Sequence, residues 1–203
     1  MRPYDVIPPA LSQLQRATTT LQAFHGSDAI KQFYLDRVRW HRAHDELVNG
    51  VYYQIRNGKA QMCGVGCTIH SDNHYSYETE LGIPTVLARL EDGLFESLPN
   101  GQAKHWPEHF LDVIPVGADL SLVWPSFAHW LLLDAEHGVI RFSLGFPDVR
   151  KAIEVVGMLF KQRLDGEVIS EAAGAAAAAR AAGVAERQRD FLLMLLQRAP
   201  VLT

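Results

Sequence analysis

The sequence predicts an all-α, mainly helical protein with orthogonally packed helices, a small β-hairpin near residues 51–62 and a long alanine-rich C-terminal helix. Apolar residues recur at helical spacing over most of the chain, most clearly over residues 83–98. The main strand-forming run ends at Asn57-Gly58, which is typical of a tight hairpin turn. Alanine, the best helix former, dominates residues 172–182.

Length and composition indicate a folded protein of ordinary size. The chain has 203 residues, of which 48% are hydrophobic and 21% charged, which suits one hydrophobic core. We expect a helical core domain over residues 1–166 and an alanine-rich helix over 167–203 that packs on the core or on a partner. The net charge is −4 and Lys and Arg are scattered, so we expect no nucleic-acid partner.

The sequence also predicts a cytoplasmic protein. Its N-terminus lacks the apolar run of a secretory signal. Two cysteines are too few for a disulfide framework. The strongest apolar segment, residues 120–133, contains Pro125 and His129 and is shorter than the roughly 20 residues that span a bilayer. We therefore expect no membrane span.

The first half of the chain is predicted to hold three helices and the hairpin. Leucine spacing predicts a helix over residues 9–25, and Ser27 or Asp28 can cap a second that runs to Val48. The hairpin follows, and then a glycine-rich, turn-rich stretch is predicted to lack regular structure. The third helix is predicted over residues 83–98.

The second half is predicted to be almost entirely helical. Apolar spacing and proline positions predict helices over residues 106–113, 119–133 and 147–164, with an extended piece over 139–144. The alanine-rich segment then predicts a helix of roughly 28 residues that ends at Pro200, about 42 Å long at 1.5 Å per residue.

Residues 62–82 concentrate the reactive side chains. Cys63, Cys67, His70 and His74 form a C-x3-C-x2-H-x3-H string whose thiolates and imidazoles are ligands that zinc prefers. One prediction is therefore a zinc site formed by these four residues, in which a histidine of the second helix could replace one of the four ligands. The alternative is no cofactor, with buried cysteines and surface histidines.

The second helix predicts a second group of candidate residues. Arg37, His41 and His44 fall on its apolar face, where a cation needs a partner. They are predicted either to form a structural network or to line a binding site for an anionic group.

Cysteine chemistry is a further hypothesis. Cys67 on the glycine-rich turn could be a nucleophile, with His70 or His44 among its possible bases. The three are our candidate catalytic residues.

Two classes of function remain open. The first, which we prefer, is a non-enzymatic helical protein that acts through protein contacts or self-association, as a homo-oligomer or with a protein partner. The apolar residues 191–196 (FLLMLL) of the C-terminal helix would make the contact. The second is a small metal- or thiol-dependent enzyme with its site between the loop of residues 63–74 and His41 and His44.

Overall fold

The computed structural model describes residues 4–16, 21–166 and 192–201. The protein is mostly helical, with 61% helix and 7% strand, and contains a two-stranded antiparallel hairpin. The predicted helical class and the hairpin are therefore confirmed. Orthogonal packing stays a prediction, and the alanine-rich helix falls mainly on residues 167–191, outside the described part.

The chain divides into two compact units. The first comprises residues 1–120 together with 199–203, and the second comprises residues 121–198. The predicted division at residue 166 stays a prediction.

The first unit contains seven α-helices and both strands among its described residues. Their bounds are α1 Pro9–Arg16, α2 Asp28–Ala43, β1 Tyr53–Arg56, β2 Lys59–Met62, α3 Gly64–Ile69, α4 Ser76–Leu81, α5 Thr85–Ser97, α6 Asn100–Ala103 and α7 Trp106–Val113.

In the second unit, two α-helices pack against each other. They are α8, Val123–Leu133, and α9, Pro147–Leu164, with the 3-10 helix Val139–Ser143 between them. Residues 192–197 are also helical. The extended piece predicted over residues 139–144 is wrong, because this segment turns tightly before α9.

Two predicted helices end early. The first was expected to reach residue 25, but Phe24 and His25 have φ of 56° and 50° within a 3-10 turn. The second was expected to reach Val48, but α2 stops at Ala43 and Asp45 takes φ 53°. The chain leaves α2 because Val48 N–H donates to Met62 O at 2.9 Å, which joins this segment to the hairpin.

The hairpin has the predicted turn. Tyr53 pairs with Met62 and Arg56 with Lys59, which leaves Asn57 and Gly58 as the two loop residues. Their φ values of 53° and 75° are both positive. A type I′ turn requires this, and Asn-Gly adopts it readily.

The glycine-rich stretch is helical, so its predicted lack of regular structure is wrong. Cys63 Sγ accepts a hydrogen bond from Gly66 N–H at 3.3 Å and caps α3. All six residues of α3 are buried. The helix packs against α2, α5 and α7, which places the predicted reactive segment at the centre of the first unit.

Glycine lets α3 occupy this central position. A Cβ on Gly64 would lie 2.7 Å from Glu91 Oε1 and 2.9 Å from Pro107 Cγ. A Cβ on Gly66 would lie 2.9 Å from the backbone oxygen of Tyr52. The absence of a Cβ at both glycines therefore allows neighbouring chain segments to approach α3 closely.

Candidate functional site

Arg37 lies on the buried face of α2, where its Nη1 has a partner within the protein and its buried Nε has no hydrogen-bond partner. It is 1% exposed, and its Nη1 donates to Thr68 O of α3 at 2.9 Å. The guanidinium lies 4.8 Å from the Phe33 ring centroid. Burial lowers the pKa of Arg37, and the nearby Glu80 and Asp5 carboxylates oppose that shift.

Glu80 completes the surroundings of this cation. Its Oε2 accepts a hydrogen bond from Tyr34 O–H at 2.7 Å. Burial raises the pKa of Glu80, while this hydrogen bond and the Arg37 charge act to lower it. Arg37 is thus paired internally, as the structural alternative expected. A role in binding an anion stays a prediction.

His41 forms the centre of a second buried chain of contacts. Its Nδ1 lies 2.7 Å from Glu46 Oε2 and its Nε2 lies 2.7 Å from His70 Nε2. A carboxylate accepts hydrogen bonds, so His41 Nδ1 is the donor to Glu46 and, in the neutral ring, Nε2 accepts from His70. Asp5 Oδ1 lies 4.0 Å from His70 Nδ1.

His70 connects this series of polar contacts to the end of α3. It is the residue after the helix and has φ 54°, a left-handed conformation that is uncommon outside glycine. Thus Arg37 and His41 both lie against the segment that carries the cysteines.

His44 points elsewhere, so its predicted position on the inward face is wrong. Because α2 ends at Ala43, the helical spacing does not extend to residue 44. Its Nδ1 donates to Trp40 O at 2.7 Å and its ring stacks on Trp40 at 4.0 Å between centroids. His44 is exposed and lines a groove of about 630 Å³ between the end of α2 and the hairpin.

A third polar cluster lies where α3 meets α5. Glu91 is fully buried, and burial raises its pKa well above the ordinary value. Tyr77 O–H donates to Glu91 Oε2 at 3.4 Å. Beside it, His74 Nε2 lies 3.2 Å from Asp92 Oδ2.

The sequence analysis did not single out Glu91. Its spacing could have revealed it, because Glu91 lies four residues after Leu87 and three before Leu94, both buried.

The predicted zinc ligands each have a different neighbour. Cys63 Sγ accepts from Gly66 N–H, and Cys67 Sγ lies 3.9 Å from Met62 O. His70 contacts His41, and His74 contacts Asp92. Among the described residues, no group of three or more His, Cys, Asp or Glu side chains is placed to hold a metal ion. The zinc site stays a prediction without geometric support.

The two thiols are poorly placed for nucleophilic chemistry. Burial raises the pKa of Cys63 to about 12, which keeps this thiol protonated at neutral pH. Cys67 has no exposed surface. Of its predicted bases, His70 contacts His41 while His44 bonds its own helix.

The second unit exposes a longer series of large apolar side chains than the hairpin of the first unit, where Tyr52, Tyr53 and Ile55 are exposed. One continuous stretch of chain, residues 142–158, exposes large apolar side chains, which we call the outer surface. Their exposed fractions are Phe142 66%, Leu144 76%, Phe146 62%, Val149 52%, Val155 55% and Met158 52%.

The other side of α9 is packed. A Cβ on Gly157 would lie 2.5 Å from Leu133 Cγ, so α8 and α9 approach closely there. The Phe160 ring, 2% exposed, meets Trp124 edge to face at 6.0 Å. The predicted apolar stripe of α9 is therefore only partly buried, and Val149 in particular is exposed.

The C-terminal apolar segment packs on its own chain, which is one of its two predicted positions, and does not present the predicted contact surface. Leu192, Leu193 and Leu196 are 0%, 8% and 0% exposed. Phe191 lies outside the described residues. Three of its leucines are thus covered by the chain itself and are closed to a partner.

Comparison with protein-family models, with curated proteins and with solved structures finds no match for this chain. Among the described residues, none of the helices combines the length and apolar character that a bilayer span requires.

Proposed function

We propose that this protein acts through protein contacts made by the outer surface of its second unit, and that it is not an enzyme. The observation that carries the proposal is the run of six large apolar side chains exposed over residues 142–158. Isolated exposed apolar residues are normal, whereas six large ones within residues 142–158 support an interaction surface.

The types of side chain support this proposal. Phe142 and Phe146 offer large aromatic area, and Met158 is flexible enough to fit an irregular partner. Aromatic residues and methionine are enriched in protein interfaces. We therefore propose the outer surface as the contact site, in place of residues 191–196.

The polar clusters of the first unit do not favour the enzymatic alternative. Arg37, His41 and Glu91 are each at most 1% exposed. Their partners belong to the same protein, as in a structural network. A substrate has no direct access to such groups.

Hydroxyl-radical footprinting of the dilute chain tests the proposal. We expect Phe142 and Phe146 to be modified rapidly, because more than 60% of each is exposed. The matched controls are Phe110 and Phe127, which have no exposed surface and should be modified slowly.

Slow modification of Phe142 and Phe146 at low micromolar concentration would refute the proposal. It would mean that another part of the same chain, such as residues 167–191, covers the outer surface.

A further inference from the structure

We infer that the outer edge of β1 binds an extended peptide segment of a partner protein, which joins the hairpin as an added strand antiparallel to β1 with an acidic residue opposite Arg56. The inference goes beyond the proposed function, because it assigns a separate contact to the hairpin of the first unit.

The pairing of the hairpin determines which backbone groups of β1 point outward. Arg56 and Lys59 flank the two-residue turn, and such a flanking pair exchanges both of its backbone hydrogen bonds. Bonded and non-bonded pairs alternate along an antiparallel ladder, so the backbone groups of Gln54 also face β2. The N–H and C=O groups of Tyr53 and Ile55 therefore point away from β2.

The two edges of the hairpin differ in what they contact. On the edge of β2, Met62 N–H donates to Glu46 O at 2.8 Å, and Met62 O accepts from Val48 N–H at 2.9 Å. On the edge of β1, no backbone hydrogen bond joins Tyr53 or Ile55 to another segment of the described chain. Their side chains are 60% and 65% exposed, and β1 contains neither a bulge nor a proline. An edge of this kind is a template for another strand.

The side chains of β1 select apolar residues in the added strand. Tyr53 and Ile55 point to the same face of the hairpin and line the groove beside His44. Aromatic and β-branched residues pair favourably across neighbouring strands. Valine or a similar residue therefore fits opposite each of them.

Charge selects the residue opposite Arg56. Arg56 is exposed and forms no ion pair with another described residue. Its neighbour across the hairpin is Lys59, which lies 3.9 Å from Asp45. Like charges directly opposite each other are destabilising, so a carboxylate on the added strand offsets the charge of Arg56. Residues 51–56 contain no acidic residue, so β1 of a second copy lacks this group.

Fluorescence anisotropy with a labelled synthetic peptide, Thr-Glu-Val-Thr-Val-Thr, tests the inference. In the antiparallel register its glutamate lies opposite Arg56, and its two valines lie opposite Ile55 and Tyr53. We expect saturable binding with a Kd below about 1 mM. A peptide with lysine in place of the glutamate should bind about two- to fivefold more weakly.

Blocking single backbone hydrogen bonds distinguishes strand addition from binding through side chains. N-methylation of both valines removes the two peptide N–H groups that face β1 and should abolish binding. N-methylation of the threonine between them is the matched control, because its N–H points away from β1. In the protein, Ile55→Pro removes one outward N–H and should weaken binding about tenfold or more. Ala60→Pro is its control, because the Ala60 N–H points to the other edge of the hairpin.

Amide hydrogen exchange of the wild-type chain needs no variant. In the dilute free chain, we expect the Tyr53 and Ile55 amides to exchange faster than those of Gln54 and Arg56, which pair with β2. Saturating peptide should slow the exchange of Tyr53 and Ile55 by about tenfold or more and leave Gln54 and Arg56 nearly unchanged.

Several results would overturn the inference. Two of them are the absence of binding up to about 1 mM peptide and binding that survives N-methylation of both valines. Slow exchange of Tyr53 and Ile55 in the dilute free chain would mean that the chain itself covers the edge. Exchange that slows with protein concentration alone would assign the edge to a second copy. The proposed function is tested separately, because footprinting of Phe142 and Phe146 does not involve the hairpin.

Discussion

The described residues of the two units differ in the charged groups that they bury, although both units expose large apolar side chains. The first hides charged side chains, with Arg37, His41 and Glu91 each at most 1% exposed. The second leaves Phe142, Leu144 and Phe146 more than 60% exposed. Buried polar groups need fixed partners inside the protein, whereas exposed apolar groups are completed by something outside it. From this contrast we propose that the helices of the first unit form a scaffold and that the second unit makes the apolar contacts.

The largest effect should come from breaking the buried ion network. We expect Arg37→Met to lower the free energy of unfolding by about 3 kcal/mol, because it leaves the buried Thr68 oxygen and the half-buried Glu80 carboxylate without their cationic neighbour. Arg39→Met on the same helix is the control, since the Arg39 side chain is 40% exposed and its pairs are superficial. It should cost about 1 kcal/mol or less. Urea denaturation measures both, and equal losses would contradict the scaffold assignment.

A somewhat smaller effect is expected at the closest approach of α3. Gly64→Ala places a methyl group against Glu91 and Pro107 and should cost about 1–3 kcal/mol. Gly93→Ala on α5 meets nothing within 4 Å and should instead stabilise the protein by about 0.5–1 kcal/mol. Thermal unfolding of the two variants gives the comparison. A harmless Gly64→Ala would show that α3 is packed loosely.

The buried carboxyl group should make stability depend on pH. Burial raises the pKa of Glu91, so the folded protein keeps a proton that the unfolded chain releases above about pH 4.5. The stabilising contribution is fully present below that pH and is lost as pH rises through the folded-state pKa. Relative to the neutral Glu91→Gln variant, wild type should lose about 1.4 kcal/mol per pH unit in that window.

Unfolding titrations from pH 4 to pH 8 measure this difference. Glu136→Gln is the control, because the Glu136 side chain is 85% exposed and should leave the profile unchanged. Parallel curves for wild type and Glu91→Gln would mean that Glu91 is ionised in the folded protein.

The smallest change in stability should come from the outer surface. Val155→Ser removes two methyl groups and adds a hydroxyl where more than half of the side chain is already in water, so the dilute chain should change by less than about 0.5 kcal/mol. A loss comparable with that of a core substitution would show that Val155 is covered within its own chain.

Sequence patterns correctly predicted those elements whose structure is determined by residues close together in the chain. Helices occur where apolar spacing predicted them, over residues 106–113 and 147–164, and Asn57-Gly58 forms the expected turn. Helical spacing also predicted that the side chains of Arg37 and His41 lie on the inward face of the second helix. In each case the signal lies within one element.

Tertiary packing decided the features that were missed. The glycine-rich segment 64–69 has poor helix propensity, yet burial on several sides and the Cys63 cap make it helical. His44 was placed inward by extending α2 beyond the point where the hairpin draws the chain away. Spacing could not show which apolar residues of α9 pack inside. Val149 and Phe160 both fit the helical period, yet Val149 is exposed and Phe160 is buried.

Peroxide oxidation of two methionines tests the contrast between the units most directly. Met158 of the second unit is 52% exposed and Met62 of the first is 2% exposed. In dilute protein, Met158 should oxidise much faster than Met62. Equal rates for the two residues would contradict the account.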